Sequence, residues 1–211
     1  MRRHLICSLW LLLLTLTVAA VAQDEFSADI YNTQNGKDKD MAQQAKIYMA
    51  KDKLRIESHQ QRGPGGVVIV NLQTQVNDVL MPERKMYMEM PQGQGFQRQA
   101  YPFFRTGDVA NACADWEKLA TNHGTTCKKI GSETVNGRNT IKYEGTRADG
   151  TVSDVWIDPS LRFPIKWKTN NGEGELRNIS VGSQAASLFE VPSDYQKMQM
   201  PAGMPPNMQH P

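Results

Sequence analysis

The chain lacks the short motifs that announce an enzyme. Its 211 residues contain no G-x-S-x-G elbow, no H-E-x-x-H helix and no G-K-[ST] phosphate loop. Gly63-Pro64-Gly65-Gly66 is glycine-rich, but it has neither the lysine nor the following helix of a phosphate cradle and reads as the turn before Val67. Histidine is scarce. His59, His123 and His210 lie far apart, with no spacing that would seat a metal on one element. Net charge is also missing. Without residues 1–22 the chain loses Arg2 and Arg3, which leaves 22 basic against 22 acidic side chains. No basic stripe then remains to attract a phosphate backbone or anionic head groups, so nucleic acid is excluded as a partner. These absences predict a noncatalytic protein without a cofactor.

Long apolar runs are absent too, and the one short run has a specific form. Arg2, Arg3 and His4 precede an almost unbroken apolar stretch over residues 5–18, and Ala20-Val21-Ala22 follows. A basic flank, a short apolar core and small residues at A-x-A spacing describe a cleavable export signal, with cleavage between Ala22 and Gln23. An uncleaved anchor would need roughly 20 apolar residues. Cys7 lies ahead of the apolar core, the wrong place for a lipid-modified N-terminus. The expected mature protein therefore has 189 residues, no stable membrane anchor, and the periplasm as destination, with secretion as the alternative. Only Cys113 and Cys127 remain in it, an even count that predicts one structural disulfide in an oxidising compartment. A metal held by Cys113, His123 and Cys127 is the weaker reading, because oxidation removes the thiolates.

What the sequence does have is alternation of period two. Phe26, Ala28 and Ile30 alternate with polar residues, as do Ala45, Ile47 and Met49, then Leu54 and Ile56, then Met86, Met88 and Met90. Ile141, Tyr143 and Gly145 follow the same rule, and so do Phe163, Ile165 and Trp167. Such runs are half-buried strands. Residues 67–70 are continuously apolar, as in a strand covered on both faces. Asn35-Gly36, Asn136-Gly137, Asp149-Gly150 and Asn171-Gly172 supply type I′ hairpin signals, so the strands are expected to be sequential and antiparallel.

Helical pattern is confined to residues 111–122, closed by His123-Gly124, and to a short turn near residues 185–189. Residues 91–108 read as a long loop carrying Phe96, Tyr101, Phe103 and Phe104. Residues 197–211, rich in methionine and proline, read as a disordered tail behind a single β-rich domain over 23–196. The tail's Met198, Met200, Met204, Met208 and His210 are soft donors that suit Cu(I), a minor alternative function. Asp154, Asp158, Glu173 and Glu175 read as solvated strand faces beside turns.

A sheet with one apolar face and so little helix must cover itself by curling. The expected fold is mainly β: a curled antiparallel sheet, or incomplete barrel, with one or two covering helices. Such a sheet encloses either an apolar ligand cavity or a filled core. Met86, Met88, Met90, Tyr143, Ile157, Phe163, Ile165 and Trp167 would line the cavity. The aromatic loop would act as its flap or dock permanently as core.

Several strings carry a family resemblance. Lys46-Ile47-Tyr48-Met49-Ala50-Lys51-Asp52-Lys53-Leu54-Arg55-Ile56, Lys85-Met86-Tyr87-Met88-Glu89-Met90 and Cys127-Lys128-Lys129-Ile130-Gly131-Ser132-Glu133-Thr134-Val135-Asn136-Gly137 resemble proteins of the "domain of unknown function 4412" family. Val155-Trp156-Ile157-Asp158, Leu161-Arg162-Phe163-Pro164-Ile165-Lys166 and Ser187-Leu188-Phe189-Glu190-Val191-Pro192 match in the same order. The resemblance spans residues 26–200. It implies an exported bacterial protein similar to the lipoprotein-carrier superfold of LolA, LolB and LppX, in which an incomplete barrel with a helical lid holds acyl chains. The partner so implied is a lipid, an acyl chain or a lipoprotein. The rival is an envelope interaction module or sensor with a filled core. One departure is that the carriers use several lid helices, whereas this sequence has one. Nothing in these patterns sets an oligomeric state.

Overall fold

The structure, a computed structural model, describes residues 25–33, 42–58, 66–74, 76–91, 103–118, 124–170 and 172–198. The expected export signal with Ala22 and Gln23, the loop residues Phe96 and Tyr101, the histidines His4, His59, His123 and His210, and the tail from 199 onward lie outside these.

Among the described residues, twelve strands form one open sheet. The first meander comprises β1 (Phe26–Asn32), β2 (Ala42–Ala50), β3 (Lys53–Ser58), β4 (Val67–Asn71), β5 (Val76–Met81) and β6 (Met86–Pro91). The second comprises β7 (Thr126–Val135), β8 (Arg138–Thr146), β9 (Val152–Asp158), β10 (Phe163–Thr169) and β11 (Gly172–Val181). Antiparallel pairing of β1 with β11 zips the two meanders together. With the two-residue strand β12 (Gln196–Lys197), which adds to β6 in parallel, the order is β12-β6-β5-β4-β3-β2-β1-β11-β10-β9-β8-β7. This is the curled antiparallel architecture that alternation predicts. The Asn136-Gly137 turn has positive φ at both residues, as a type I′ hairpin requires. At Asp149-Gly150 only Gly150 is left-handed, and the longer loop closes with the Arg147 amide donating to the Thr151 carbonyl at 2.9 Å.

Cross-strand register assigns the faces. Met88 lies opposite Val79, Val79 opposite Val68, Val68 opposite Ile56, Ile56 opposite Ile47, and Ile47 opposite Ala28. This row belongs to the inner face. On it Phe26, Ile30, Ile47, Met49, Leu54, Ile157, Phe163, Ile165 and Leu176 form one buried core. Gly174 serves that core by close approach: a Cβ there would overlap the Trp167 ring and Asn32 Oδ1.

The outer face is not simply wet. Val67, Ile69 and Leu80 are buried on it beneath Phe189. The chain leaves β11, passes a 3₁₀ turn (Ala186–Phe189), and crosses the outer face as a strap before joining the sheet edge as β12. Lys53 Nζ donates to the Phe189 carbonyl at 3.3 Å and Arg55 Nη1 to the Leu188 carbonyl at 2.9 Å, which satisfies acceptors that the strap would otherwise bury. The continuous apolar run over residues 67–70 is thereby explained, with Val67 and Ile69 under the strap and Val70 in the main core.

Two of the acids expected on solvated faces are buried. Asp158 is 2% exposed and paired with Arg138, and its Oδ1 accepts from the Ser160 amide at 2.8 Å. Glu175 is 8% exposed and paired with Arg177, whose guanidinium stacks 4.4 Å from the Tyr31 ring centroid. Between them Trp156 is 5% exposed, with its Nε1 donating to Glu133 at 2.6 Å and the ammonium groups of Lys142 and Lys166 over its ring. Register assembles this cluster, since Glu175 lies opposite Tyr31 and Lys166, and Lys166 opposite Trp156, a long-range effect that strand alternation does not encode.

Candidate functional site on the inner face

Residues 103–118 lie against the inner face of the second meander. Phe103 packs on Phe163 and Trp167, with ring centroids 5.2 and 5.4 Å away, and Phe163 in turn meets Phe26 at 5.4 Å. Phe104 is 5% exposed within the same core. These two loop aromatics are therefore docked as core. Trp116, at the end of the short helix α1 (Ala112–Trp116), stacks on Gly145, where a Cβ would overlap its ring. α1 is shorter than the helix expected over 111–122: Glu117 caps it, Glu117 and Lys118 form a turn, and residues 119–122 lie outside the described residues.

Four hydrogen bonds and a disulfide brace this cover. The Tyr143 hydroxyl donates to the Val109 carbonyl at 2.8 Å and accepts from the Ala112 amide at 3.4 Å. Burial raises the pKa of this phenol further above its ordinary value, and it stays a hydrogen-bond donor. Asp115 Oδ2 accepts from the Gly107 amide at 2.8 Å and the Thr106 hydroxyl at 2.9 Å. Burial opposes ionisation of Asp115, but these donors and Lys118 together hold its carboxyl below the usual range. The expected disulfide between Cys113 and Cys127 is present, with Cα atoms 5.5 Å apart, and ties α1 to β7.

The residues expected to line a cavity fall into two groups. Tyr143, Ile157, Phe163, Ile165 and Trp167 belong to the packed core under the cover, with Ile157 and Ile165 at 0% exposure. Met86, Met88 and Met90 share the same face but lie at the other margin of the sheet, half-buried and outside that cluster. The surface between the two groups runs through Val79, Val68, Ile56 and Ile47. Sequence reasoning missed the β5 members of this surface, Asn77, Val79 and Met81, because Asn77-Asp78 breaks the apolar alternation. Asn77 is only 3% exposed, lies opposite Met90 and Val70, and its Oδ1 has no hydrogen-bond partner among the described residues.

Among the described residues no group of His, Cys, Asp or Glu is placed to hold a metal, and no helix is long and apolar enough to cross a membrane.

No family model matches the chain, and no curated protein does. Solved structures are similar to it. An uncharacterized conserved protein from Thermus thermophilus superposes with a TM-score of 0.51 at 10% identity, over 83% of this chain and 90% of that one. The likeness is one of fold. MucB is similar with a TM-score of 0.48 at 15% identity, over 84% of this chain and 60% of MucB, so the chain spans about three fifths of that protein. A LolA superfamily protein from Nitrosomonas europaea gives a TM-score of 0.38 at 11% identity, over 80% of this chain and 90% of that one.

Proposed function

We propose that the protein is an exported, noncatalytic binding module that takes an acyl chain along the inner face of its sheet, at the margin formed by β4, β5 and β6. The observation that carries this reading is the row Val68–Val79–Met88. It continues the main core outward into half-buried methionines instead of ending in polar side chains. Unbranched thioether side chains adapt to irregular apolar shapes, which suits a flexible hydrocarbon. Asn77 Oδ1 supplies a buried acceptor beside this surface, where a ligand hydroxyl or amide would find a partner.

A second reading has its own support. The tight burial of Ile157, Phe163 and Ile165 under Phe103 suits a filled core, and the molecule would then act through a protein partner in the cell envelope. Native mass spectrometry of protein isolated from the envelope of its own host separates the two. A co-purifying lipid, together with displacement of a fluorescent fatty acid, supports the carrier, and Met88→Asp then weakens fatty-acid binding at least tenfold. Repeated absence of lipid, with no fatty-acid binding by the wild type, leaves only the interaction module.

A further inference from the structure

The thioethers at the β6 margin are more than apolar surface. Met81 lies directly opposite Met86 across the β5–β6 pair, and Met88 follows Met86 on the same face. β12 adds a third strand in parallel, with Gln196 beside Met86 and Lys197 beside Tyr87. The next residue is Met198, whose amide donates to the Tyr87 carbonyl at 2.8 Å. Strand alternation therefore puts Met198 next to Met88, on the inner side, while Lys197 turns outward to Glu89. Met81, Met86, Met88 and Met198 thus occupy adjoining positions on three neighbouring strands, all of them half-buried and so open to a small ion.

We propose that Met81, Met86, Met88 and Met198 form a Cu(I) site at the β5–β6–β12 edge. Strands stand about 4.8 Å apart, and each methionine has three rotatable side-chain bonds, so several sulfurs from these positions reach one ion. The donor set selects the metal. Neutral thioethers are soft ligands that favour Cu(I), whereas zinc prefers thiolate and imidazole, and magnesium or calcium take oxygen. The site is built by the fold, because only the β12 pairing brings Met198 to Met88 from more than a hundred residues away in the chain. It differs in kind from a donor set read only from the composition of the tail.

The test is an anaerobic titration with Cu(I) in competition with bicinchoninate, run without lipid so that its outcome is independent of the acyl reading. The full chain is expected to withdraw one Cu(I). Replacing Met81, Met86 and Met88 together by Leu should weaken uptake at least tenfold, and this near volume-conserving change keeps the fold, checked by the thermal transition. Replacing Met200, Met204 and Met208 by Leu and His210 by Ala should leave uptake unchanged. Affinity should be equal at pH 7 and pH 5, since no ligand in the set titrates there. Failure to take copper from bicinchoninate overturns the proposal. So does loss confined to the tail variant, or a sharp weakening as pH falls through about 6.5, the signature of imidazole.

Discussion

Replacing Phe189 by Ala tests whether the strap is a structural half of the molecule or a loose appendage. Phe189 is 5% exposed and covers Val67, Ile69 and Leu80 on the outer face. Removing a buried phenyl costs about 3–5 kcal/mol. The lower part of that range applies here, about 3–4 kcal/mol, because the Leu188, Val191 and Tyr195 side chains beside it can shift to fill part of the space. For a domain of this size each kcal/mol lowers Tm by about 2–4 °C, so the expected drop is roughly 6–16 °C. Loss of the anchor should also free the edge. The Gln196 and Met198 amides, which donate to Lys85 and Tyr87 carbonyls at 2.8 Å, should exchange with solvent faster than in the wild type. Circular dichroism melts and amide exchange by NMR read the two effects. A Tm within about 2 °C of wild type, less than a single kcal/mol would produce, with unchanged exchange at both amides, would refute the assignment of a second core.

Other perturbations probe the cover and the outer face. The disulfide closes a loop with a sequence separation of 14. Changing Cys113 and Cys127 to Ser should therefore lower unfolding free energy in denaturant by roughly 3 kcal/mol, and an unchanged midpoint would show that the cover holds without it. Burial raises the pKa of Asp78, assisted by Glu89 and opposed by Lys197 and Lys53. The fold thus favours protonated Asp78. Its contribution is fully present below the unfolded value of about 3.9 and is lost as pH rises through the higher folded value. Asp78→Asn should accordingly stabilise the protein at pH 7 and confer no advantage below about pH 4; equal stability at pH 7 contradicts this.

Much of the sheet is legible in the chain because a strand's own residues carry its period. Phe26, Ala28 and Ile30 announce β1, and Phe163, Ile165 and Trp167 announce β10, since each run must present one side to a core. β5 and β7 escape the same test. Asn77 is polar yet buried, and β7 is an edge strand whose ten residues are mostly exposed, so neither shows clean alternation. The short strand β12 has no signal at all, because two residues show no period and its pairing with β6 comes from the strap.

The candidate site divides along the same line. Alternation alone determined that Met86, Met88, Met90, Phe163, Ile165 and Trp167 face inward, and the even count of cysteines left behind the expected export signal predicted the disulfide. The tertiary structure decided which of these residues are sealed and which stay half-open. Phe103 and α1 cover β8 to β10, whereas the methionines of β6 lie beyond that cover. It also decided that the outer face has a core of its own under Phe189. The reason is physical: a strand's sequence sets which way each side chain points, but what it meets there comes from segments distant in the chain.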